Sequence, residues 1–230
     1  MREPSQSESG EPAAPTPRVL GVSGSPHPHS NTDRLVHRVL EASGLPWEFV
    51  KLSEILVRPC RACLGCVSDN ICKEPDDFPA LAEKLKAAEA LLVGCYPPYG
   101  TVDAYTKAFL ERFYSLRHRR GLNQGKLAVV VATGNARGAR GVEAACDQVS
   151  HALGKEGMEV LGCVTAVGNP NCLVCGHGPE CAWSALRAIY PDRRSVTPDM
   201  FRQVEDQAEV WARAGELGRE LGRRLTRRTA

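Results

Sequence analysis

The sequence predicts a doubly wound α/β fold built on a five-stranded parallel sheet. Two observations support this class. Five short apolar runs, each followed closely by glycine, serine or proline, alternate with segments of helical period. Successive runs begin about 35 residues apart, which leaves room for one crossover helix between parallel strands.

The five apolar runs are predicted to be the strands, in chain order. They are RVLGVSG from Arg18, WEFVKLS from Trp47, EALLVGC from Glu89, GKLAVVVATG from Gly125 and MEVLGCVTAVG from Met158. The first run is short and apolar and ends in glycine and serine, as expected for a buried parallel strand.

Four segments of helical period separate the runs. They are TDRLVHRVLEASG, PDDFPALAEKLKAAE, VDAYTKAFLERFYSLRH and RGVEAACDQVSHALGKEG. The first is predicted to have Asn31 or Thr32 as its N-cap and to stop at Gly44. In the second, Asp76 and Asp77 are predicted to occupy the first turn, where the helix dipole favours carboxylates.

The chain divides into four predicted parts. Residues 1–17 are rich in Ser, Glu and Pro and are predicted to be a disordered tail. Residues 18–165 form the sheet domain, and residues 166–195 a cysteine-bearing insertion that breaks the alternation. Residues 196–230 are predicted to carry the C-terminal helix, which is amphipathic from roughly Pro198 to Leu225.

Composition excludes several classes. A formal net charge of +2 is too small to indicate nucleic acid or a membrane surface as a bulk partner. No apolar run is long enough to span a membrane, and the polar start lacks the pattern of a signal peptide. Ten cysteines in 230 residues are many for a chain predicted to stay in the reducing cytoplasm, so most are expected to be ligands.

The strongest motif is PCRACLGCVSDNIC, within the segment 59–73 that follows the second predicted strand. Cys60, Cys63, Cys66 and Cys72 have the spacing C-x2-C-x2-C-x5-C. Three cysteines at successive x2 spacing are typical of iron–sulfur loops, whereas zinc usually takes two C-x2-C pairs further apart. We interpret the run as one compact cluster site, of the 4Fe-4S type; zinc and ordinary thiols remain alternatives.

Polar groups follow the first predicted strand. The turn SGSPHPHSNT offers backbone N–H groups at a helix start, together with the side chains of Ser23, Ser25, Ser30, Asn31 and Thr32. Such a turn can hold a phosphate without a lysine. Neither a P-loop nor a Rossmann glycine motif is present, so the pattern favours a monophosphate such as that of FMN.

Two further strand ends complete this prediction. The third strand runs into Tyr96-Pro97-Pro98-Tyr99-Gly100, a stiff loop with flat aromatic faces for a flavin ring. The fourth ends at Thr133-Gly134-Asn135, which can supply polar and backbone groups. Ligands of doubly wound sheets bind beyond the carboxyl ends of the strands, so the three loops together predict an FMN site.

These features resemble the iron–sulfur flavoprotein family, a cysteine-bearing branch of the flavodoxin-like, NADPH-dependent FMN reductases. The resemblance rests on GVSGSPHPHSNT, YPPYG and the position of the cysteine run, and covers about residues 18–165. It implies a flavodoxin-like fold, a 4Fe-4S cluster on the four cysteines of the run, and FMN held by the first turn and the Pro97–Gly100 loop. The loop TGNARGAR, with Arg137 and Arg140, departs from that family's pattern.

The resemblance also implies partners. It implies homo-oligomers, dimers or tetramers, in which the cluster loop of one subunit approaches the flavin of another. It implies electron transfer from ferredoxin or a similar donor. The predicted function is therefore an oxidoreductase that passes electrons between a 4Fe-4S cluster and FMN. An NAD(P)H-dependent FMN or quinone reductase, and a non-enzymatic redox-sensing or zinc-braced module, are the alternatives.

A second cysteine set lies in NCLVCGHGPEC. Cys172, Cys175 and Cys181 have the spacing C-x2-C-x5-C, and Cys163 or His177 is the candidate fourth ligand. The set could hold a second iron–sulfur cluster or zinc, or be a loop whose thiols have no role. The two remaining cysteines, Cys95 and Cys146, are predicted to be small buried apolar residues.

Overall fold

The computed structural model describes residues 18–135 and 139–229, and a five-stranded sheet lies at the centre of these ranges. The strand order is β2-β1-β3-β4-β5, and every neighbouring pair is parallel. The strands are β1 Val19–Ser23, β2 Trp47–Lys51, β3 Ala90–Cys95, β4 Leu127–Gly134 and β5 Glu159–Val167. The doubly wound parallel sheet predicted from the sequence is confirmed.

Helices cover both faces of the sheet. They are α1 Asn31–Ala42, α2 Phe78–Ala87, α3 Ala104–Arg112, α4 Tyr114–Arg117, α5 Ala139–Lys155, α6 Leu186–Ile189 and α7 Ala208–Thr229. One apolar core lies between the sheet and α2, α3, α4 and α5, and a second lies between the sheet and α1 and α7. Because β1, β3 and β4 are buried on both faces, their carboxyl ends lie at fixed positions along one edge of the sheet.

The start of α1 differs from the prediction. The N-cap is Ser30, whose hydroxyl accepts a hydrogen bond from the backbone N–H of Asp33 while the Asp33 carboxylate accepts one from Ser30 N–H. This reciprocal capping box satisfies two helix-start donors at once, so the helix begins at Asn31. The helix ends at Ala42, and Gly44 follows with a φ of +66°, as a stop at glycine predicts.

The prediction that Asp76 and Asp77 occupy the first turn of α2 is wrong. The helix starts at Phe78, after both of them. Asp77 accepts a hydrogen bond from Leu56 N–H over 2.7 Å, and Asp76 accepts one from Arg58 N–H over 2.9 Å. These two hydrogen bonds fix the segment that enters the cysteine-bearing residues 59–73 against the start of α2.

The C-terminal helix begins at Ala208, about ten residues later than predicted. Pro198–Met200 is a single 3-10 turn. After it, the backbone N–H and C=O of Arg202 are both bonded to the side chain of Asn169, which removes them from any helical ladder. The insertion packs on its own small apolar cluster of Leu173, Leu186 and Met200.

Two further predictions concern the ends of the chain and the membrane. The tail at residues 1–17, predicted to be disordered, lies outside the described residues. Within the described ranges, no helix combines the length and the apolar character needed to cross a bilayer. The predicted cytoplasmic location stays a prediction.

Candidate functional site

The loops that follow β1, β3 and β4 meet at the carboxyl edge of the sheet. The hydroxyl oxygens of Thr32, in the first turn of α1, and Thr133, in β4, lie 2.6 Å apart and are buried. A β-carbon at Gly134 would lie 3.0 Å from Cγ of Pro97, so the ends of β3 and β4 are in close contact. The structure thus brings together the three strand ends that the sequence singled out.

The hydroxyl of Ser23 plays a different part from the one predicted. It is fully buried and donates to Oδ1 of Asp33 over 2.6 Å, so its proton is not available to a ligand. Ser25 and Ser30 instead accept from the backbone N–H groups of His27 and Asp33, which leaves their hydroxyl protons available to a ligand. Ser23 therefore supports the loop and does not line it.

The side chain of Asn31 is also engaged elsewhere. Its amide nitrogen donates to the carbonyl of Arg202 over 2.9 Å, and its oxygen accepts from Arg34 over 2.5 Å. What Asn31 offers at the carboxyl edge is its backbone N–H, in the first turn of α1 beside that of Thr32. First-turn N–H groups lack intrahelical partners and carry the positive end of the dipole, so they suit an anionic phosphate.

A buried ion pair lies beneath this loop. Nζ of Lys51, the last residue of β2, lies 2.6 Å from Oδ2 of Asp33, and both side chains are 5% exposed. Asp33 also accepts from the Ser23 hydroxyl and from Ser30 N–H, so one carboxylate ties α1, β1 and β2 together. The pair was not predicted from the sequence, although a lysine at the end of a predicted strand was a signal for it.

The loop after β3 is braced by Asp103. This buried carboxylate accepts hydrogen bonds from the backbone N–H groups of Tyr96 and Thr106, and Asp103 N–H donates back to the Tyr96 carbonyl. Burial raises the pKa of Asp103, against the lowering effect of these hydrogen bonds. Tyr99 is fully exposed, with a left-handed φ of 54°, and Gly100 follows at 81°. The brace leaves an aromatic side chain projecting at the site edge.

The last position of the predicted flavin site, Asn135, lies where the described chain stops. Asn135 directly follows β4, at the same edge as Thr133, and Arg140 lies in the first turn of α5. Arg137 lies outside the described residues. Pro98, Tyr99 and Gly100 form a single 3-10 turn. This turn lies close to the start of α5, as shown by the 3.0 Å that would separate a β-carbon at Gly141 from Cα of Gly100.

The cysteine loop, residues 59–73, connects a 3-10 turn after β2 to α2. All four of its cysteines line one cavity: Cys60, Cys63, Cys66 and Cys72. The backbone takes left-handed φ values of 51° at Ala62 and 58° at Leu64, an uncommon conformation for residues with side chains. The positive φ values turn the chain sharply between successive cysteines.

Three side chains outside the loop contact its thiols or close its end. Nη2 of Arg112 donates to the sulfur of Cys72 over 3.1 Å, and Nε2 of His118 lies 3.3 Å from the sulfur of Cys66. Asp76 forms an ion pair with Arg112 in which neither side chain has exposed surface. Burial raises the pKa of the Cys66 thiol, and the other three thiols raise it further. Arg112 was not among the predicted site residues, although it lies three residues after Phe109 on the buried face of α3.

Four thiols, with an arginine and a histidine beside them, are residue types that suit a metal cluster bound by thiolates. The four thiols face one cavity, and an arginine and a histidine contact two of them. Within residues 18–135 and 139–229, no three His, Cys, Asp or Glu side chains are close enough together to form a ready ion site. The four cysteines share a cavity without forming such a site, and a cluster on Cys60, Cys63, Cys66 and Cys72 stays a prediction.

The second cysteine set is only partly assembled. Cys163 lies in the middle of β5, with its sulfur next to that of Cys146 in α5 and their Cα atoms 6.3 Å apart. No contact among the described residues joins Cys163 to the insertion thiols, so its role as a fourth ligand stays a prediction, and Cys146 is buried in the apolar core, as predicted. Cys95 is buried, as predicted.

The insertion thiols themselves lie at or near the surface. Cys172 packs against the small cluster of the insertion, and Cys175 is exposed. Backbone N–H groups of His177 and Gly178 lower the pKa of the Cys175 thiol. The structure gives no contact of Cys181 or the His177 ring with the other thiols, so a second centre stays a prediction.

Comparison with known proteins gives the family context. The sequence model for NADPH-dependent FMN reductases matches residues 17–169. An iron-sulfur flavoprotein of Methanocaldococcus jannaschii is 32% identical over 63% of this chain and 76% of its own length. An iron-sulfur flavoprotein of Methanosarcina thermophila is 28% identical over 63% of this chain and 77% of its own length.

Solved structures agree on the fold. The crystal structure of RosB with a bound flavin-phosphate intermediate superposes with a TM-score of 0.61 at 16% identity, over 92% of this chain and 81% of that one. The flavodoxin, WrbA-like protein from Agrobacterium tumefaciens gives a TM-score of 0.50 at 13% identity, over 88% and 96% of the two chains. At these identities the likeness establishes a flavodoxin-like fold.

Proposed function

The chain belongs to the iron–sulfur flavoprotein branch of the NADPH-dependent FMN reductase family, and we propose that it is an oxidoreductase that passes electrons between FMN and a 4Fe-4S cluster. The observation that carries the proposal is the common cavity of Cys60, Cys63, Cys66 and Cys72 in a chain of this family. FMN, when bound, exchanges electrons singly or in pairs and a cluster exchanges them singly, so the two would convert between these modes.

The proposed flavin site uses the chain's own groups in distinct ways. The first-turn N–H groups of Asn31 and Thr32 and the free hydroxyl protons of Ser25 and Ser30 would hold the phosphate. The Lys51–Asp33 pair keeps that loop in shape from below. The braced loop from Tyr96 to Gly100 and the end of β4 at Thr133-Gly134-Asn135 would flank the ring.

Two versions of this function differ in their electron donor. The family description favours an NAD(P)H-dependent reductase, in which hydride enters through FMN and the cluster acts as a relay. A ferredoxin-type donor would deliver single electrons to the cluster first. Anaerobic mixing with NADPH, followed by absorbance at the flavin band, separates them: rapid bleaching by NADPH alone supports the reductase version.

We also propose a homo-oligomer, dimer or tetramer, as the working form. Support comes from apolar side chains that are exposed on the cysteine loop, Leu64 at 57%, Ile71 at 45% and Val67 at 40%. Burying such a surface against another copy removes apolar area from water. Light scattering with size-exclusion chromatography, on wild type and Leu64→Glu, tests this: a lower mass for the variant is the expected result.

The test of the main proposal is chemical analysis of anaerobically purified protein. We expect about four iron, four sulfide and one FMN per chain. Zinc and flavin without sulfide would instead indicate a flavin reductase with structural metal. Absence of flavin would overturn the proposal in favour of a redox-sensing or zinc-braced module.

Two cysteine variants separate the sites in the same assay. Cys66→Ser, in the cysteine loop, is expected to lose iron and sulfide and to keep FMN. Cys175→Ser, in the insertion, is expected to keep the first cluster, because Cys175 belongs to the other set. A loss of iron or zinc in Cys175→Ser beyond the wild-type variation would support a second metal centre on Cys172, Cys175 and Cys181.

A further inference from the structure

Arg112 is a buried arginine beside the cysteine loop. It is the last residue of α3, it is 1% exposed, and it ranks first by volume among the described side chains that are fully buried. Its helix face also carries Phe109, which belongs to the apolar core. Removing a guanidinium from water is strongly unfavourable unless the group gains partners, so the contacts of Arg112 indicate why it is buried there.

Its partners hold the guanidinium in one orientation. Nη2 and Nη1 both bond to the carboxylate of Asp76, at 3.1 and 2.5 Å, and Nη1 donates to the carbonyl of Arg58 over 2.9 Å. The guanidinium carbon lies 4.7 Å from the ring centre of Phe78, a cation–π distance. A bidentate pair with one stacking face restricts both the position and the plane of the group.

One further donor faces sulfur, whereas Nε of Arg112 has no hydrogen-bond partner among the described residues. With Asp76 and the Arg58 carbonyl already satisfied, Nη2 also donates to Cys72 Sγ over 3.1 Å. A structural ion pair needs no such third contact. The arrangement directs a fixed positive charge at one thiol of the predicted ligand set, in a place where water does not screen it.

We propose that Arg112 is a positioning residue that sets the reduction potential of the cluster through Cys72. The inference rests on the proposed function, since it needs a cluster on the cysteine loop. Each one-electron reduction makes the cluster and its thiolates more negative, and a guanidinium bonded to one of those sulfurs stabilises the reduced state more than the oxidised one. Arg112 therefore raises the potential.

The experiment is a potentiometric titration of anaerobically purified protein, followed by electron paramagnetic resonance of the reduced cluster. Arg112→Gln removes the charge, and Arg112→Lys keeps it. Arg61→Gln is the matched control, because Arg61 lines the same cavity but its side chain is 72% exposed and pairs with Glu74. Iron, sulfide and FMN are quantified in every sample.

We expect the cluster midpoint of Arg112→Gln to move to lower potential, with Arg112→Lys closer to wild type and Arg61→Gln nearly unchanged. Equal midpoints for Arg112→Gln and Arg61→Gln, with clusters intact, would overturn the inference and leave the proposed function standing. Asp76→Asn removes the opposing negative charge and is expected to move the midpoint the other way. If Arg112→Gln does not fold, an unmoved or lowered midpoint in Asp76→Asn overturns the inference. Wild type without iron and sulfide overturns the proposed function, and the inference with it.

Discussion

The hydroxyl groups of Thr32 and Thr133 lie 2.6 Å apart in a buried contact between the start of α1 and the end of β4. The two residues are 101 positions apart in the chain, yet their hydrogen bond joins two of the loops that form the predicted FMN site. The contact gives the first prediction.

Thr133→Val is expected to destabilise the protein by about 1–3 kcal/mol, because it leaves the buried Thr32 hydroxyl without this partner. The double variant Thr32→Val/Thr133→Val removes both hydroxyls and is expected to cost less than the two single changes together. Urea unfolding at neutral pH measures all three. Strict additivity would show that the two hydroxyls do not interact in solution.

Gly24 follows β1 directly, and a β-carbon there would collide with the side chains of Asp103 and Thr106. Gly24→Ala is therefore expected to cost about 1–3 kcal/mol and to weaken FMN binding, since Asp103 braces the loop after β3. Gly154→Ala, in α5 with open space around it, is the control and is expected to stabilise by up to about 1 kcal/mol. Unfolding midpoints and flavin titration test both variants, and an unaffected Gly24→Ala would contradict the packing.

Lys51→Met is expected to destabilise by about 3–5 kcal/mol, because it leaves the Asp33 carboxylate buried without its counter-charge. The control is Lys107→Met, which breaks the exposed pair of Lys107 with Glu111 and should cost about 0–1 kcal/mol. Chemical denaturation compares them. Equal decreases in the free energy of unfolding of the two variants would show that the buried pair stabilises the protein no more than the exposed one.

The pH dependence of stability should reveal Asp103. Burial raises its pKa above the ordinary 3.8, so the folded state binds its proton more tightly than the unfolded state does. The stabilisation of the folded state by protonated Asp103 is therefore fully present below about pH 3.8. It is lost as the pH rises through the pKa of Asp103 in the folded protein. An asparagine at position 103 does not titrate, so the stability of Asp103→Asn should not fall in this way, and asparagine can still act as the N-cap of α3.

The stability of Asp103→Asn relative to wild type is therefore expected to improve between about pH 3 and pH 7, measured by urea unfolding at each pH. Asp69→Asn is the opposite control, because a hydrogen bond from Lys73 lowers the pKa of that exposed carboxylate. Its relative stability should fall over the same range. Parallel trends in the two variants would contradict the assignment.

Much of the fold could be predicted because it depends on local pattern. The continuous apolar run of β3 indicated a strand covered on both faces, and all six of its residues are buried. The end of α1 just before Gly44 and the spacing of the cysteine run are equally local. The C-terminal helix was placed too early, because the bonds between Asn169 and Arg202 join segments that the pattern does not relate.

By itself the sequence determined the parallel sheet, the three strand-end loops and a loop with four cysteines, because apolar period and residue spacing act over a few neighbours. Only the tertiary structure decided which of these side chains are bonded within the fold. Ser23 donates a hydrogen bond to Asp33, the sulfur of Cys163 lies next to that of Cys146, and Arg112 contacts Cys72 across 40 positions. Hydrogen bonds and ion pairs act over about 3 Å, so their partners are set by how the folded chain crosses itself.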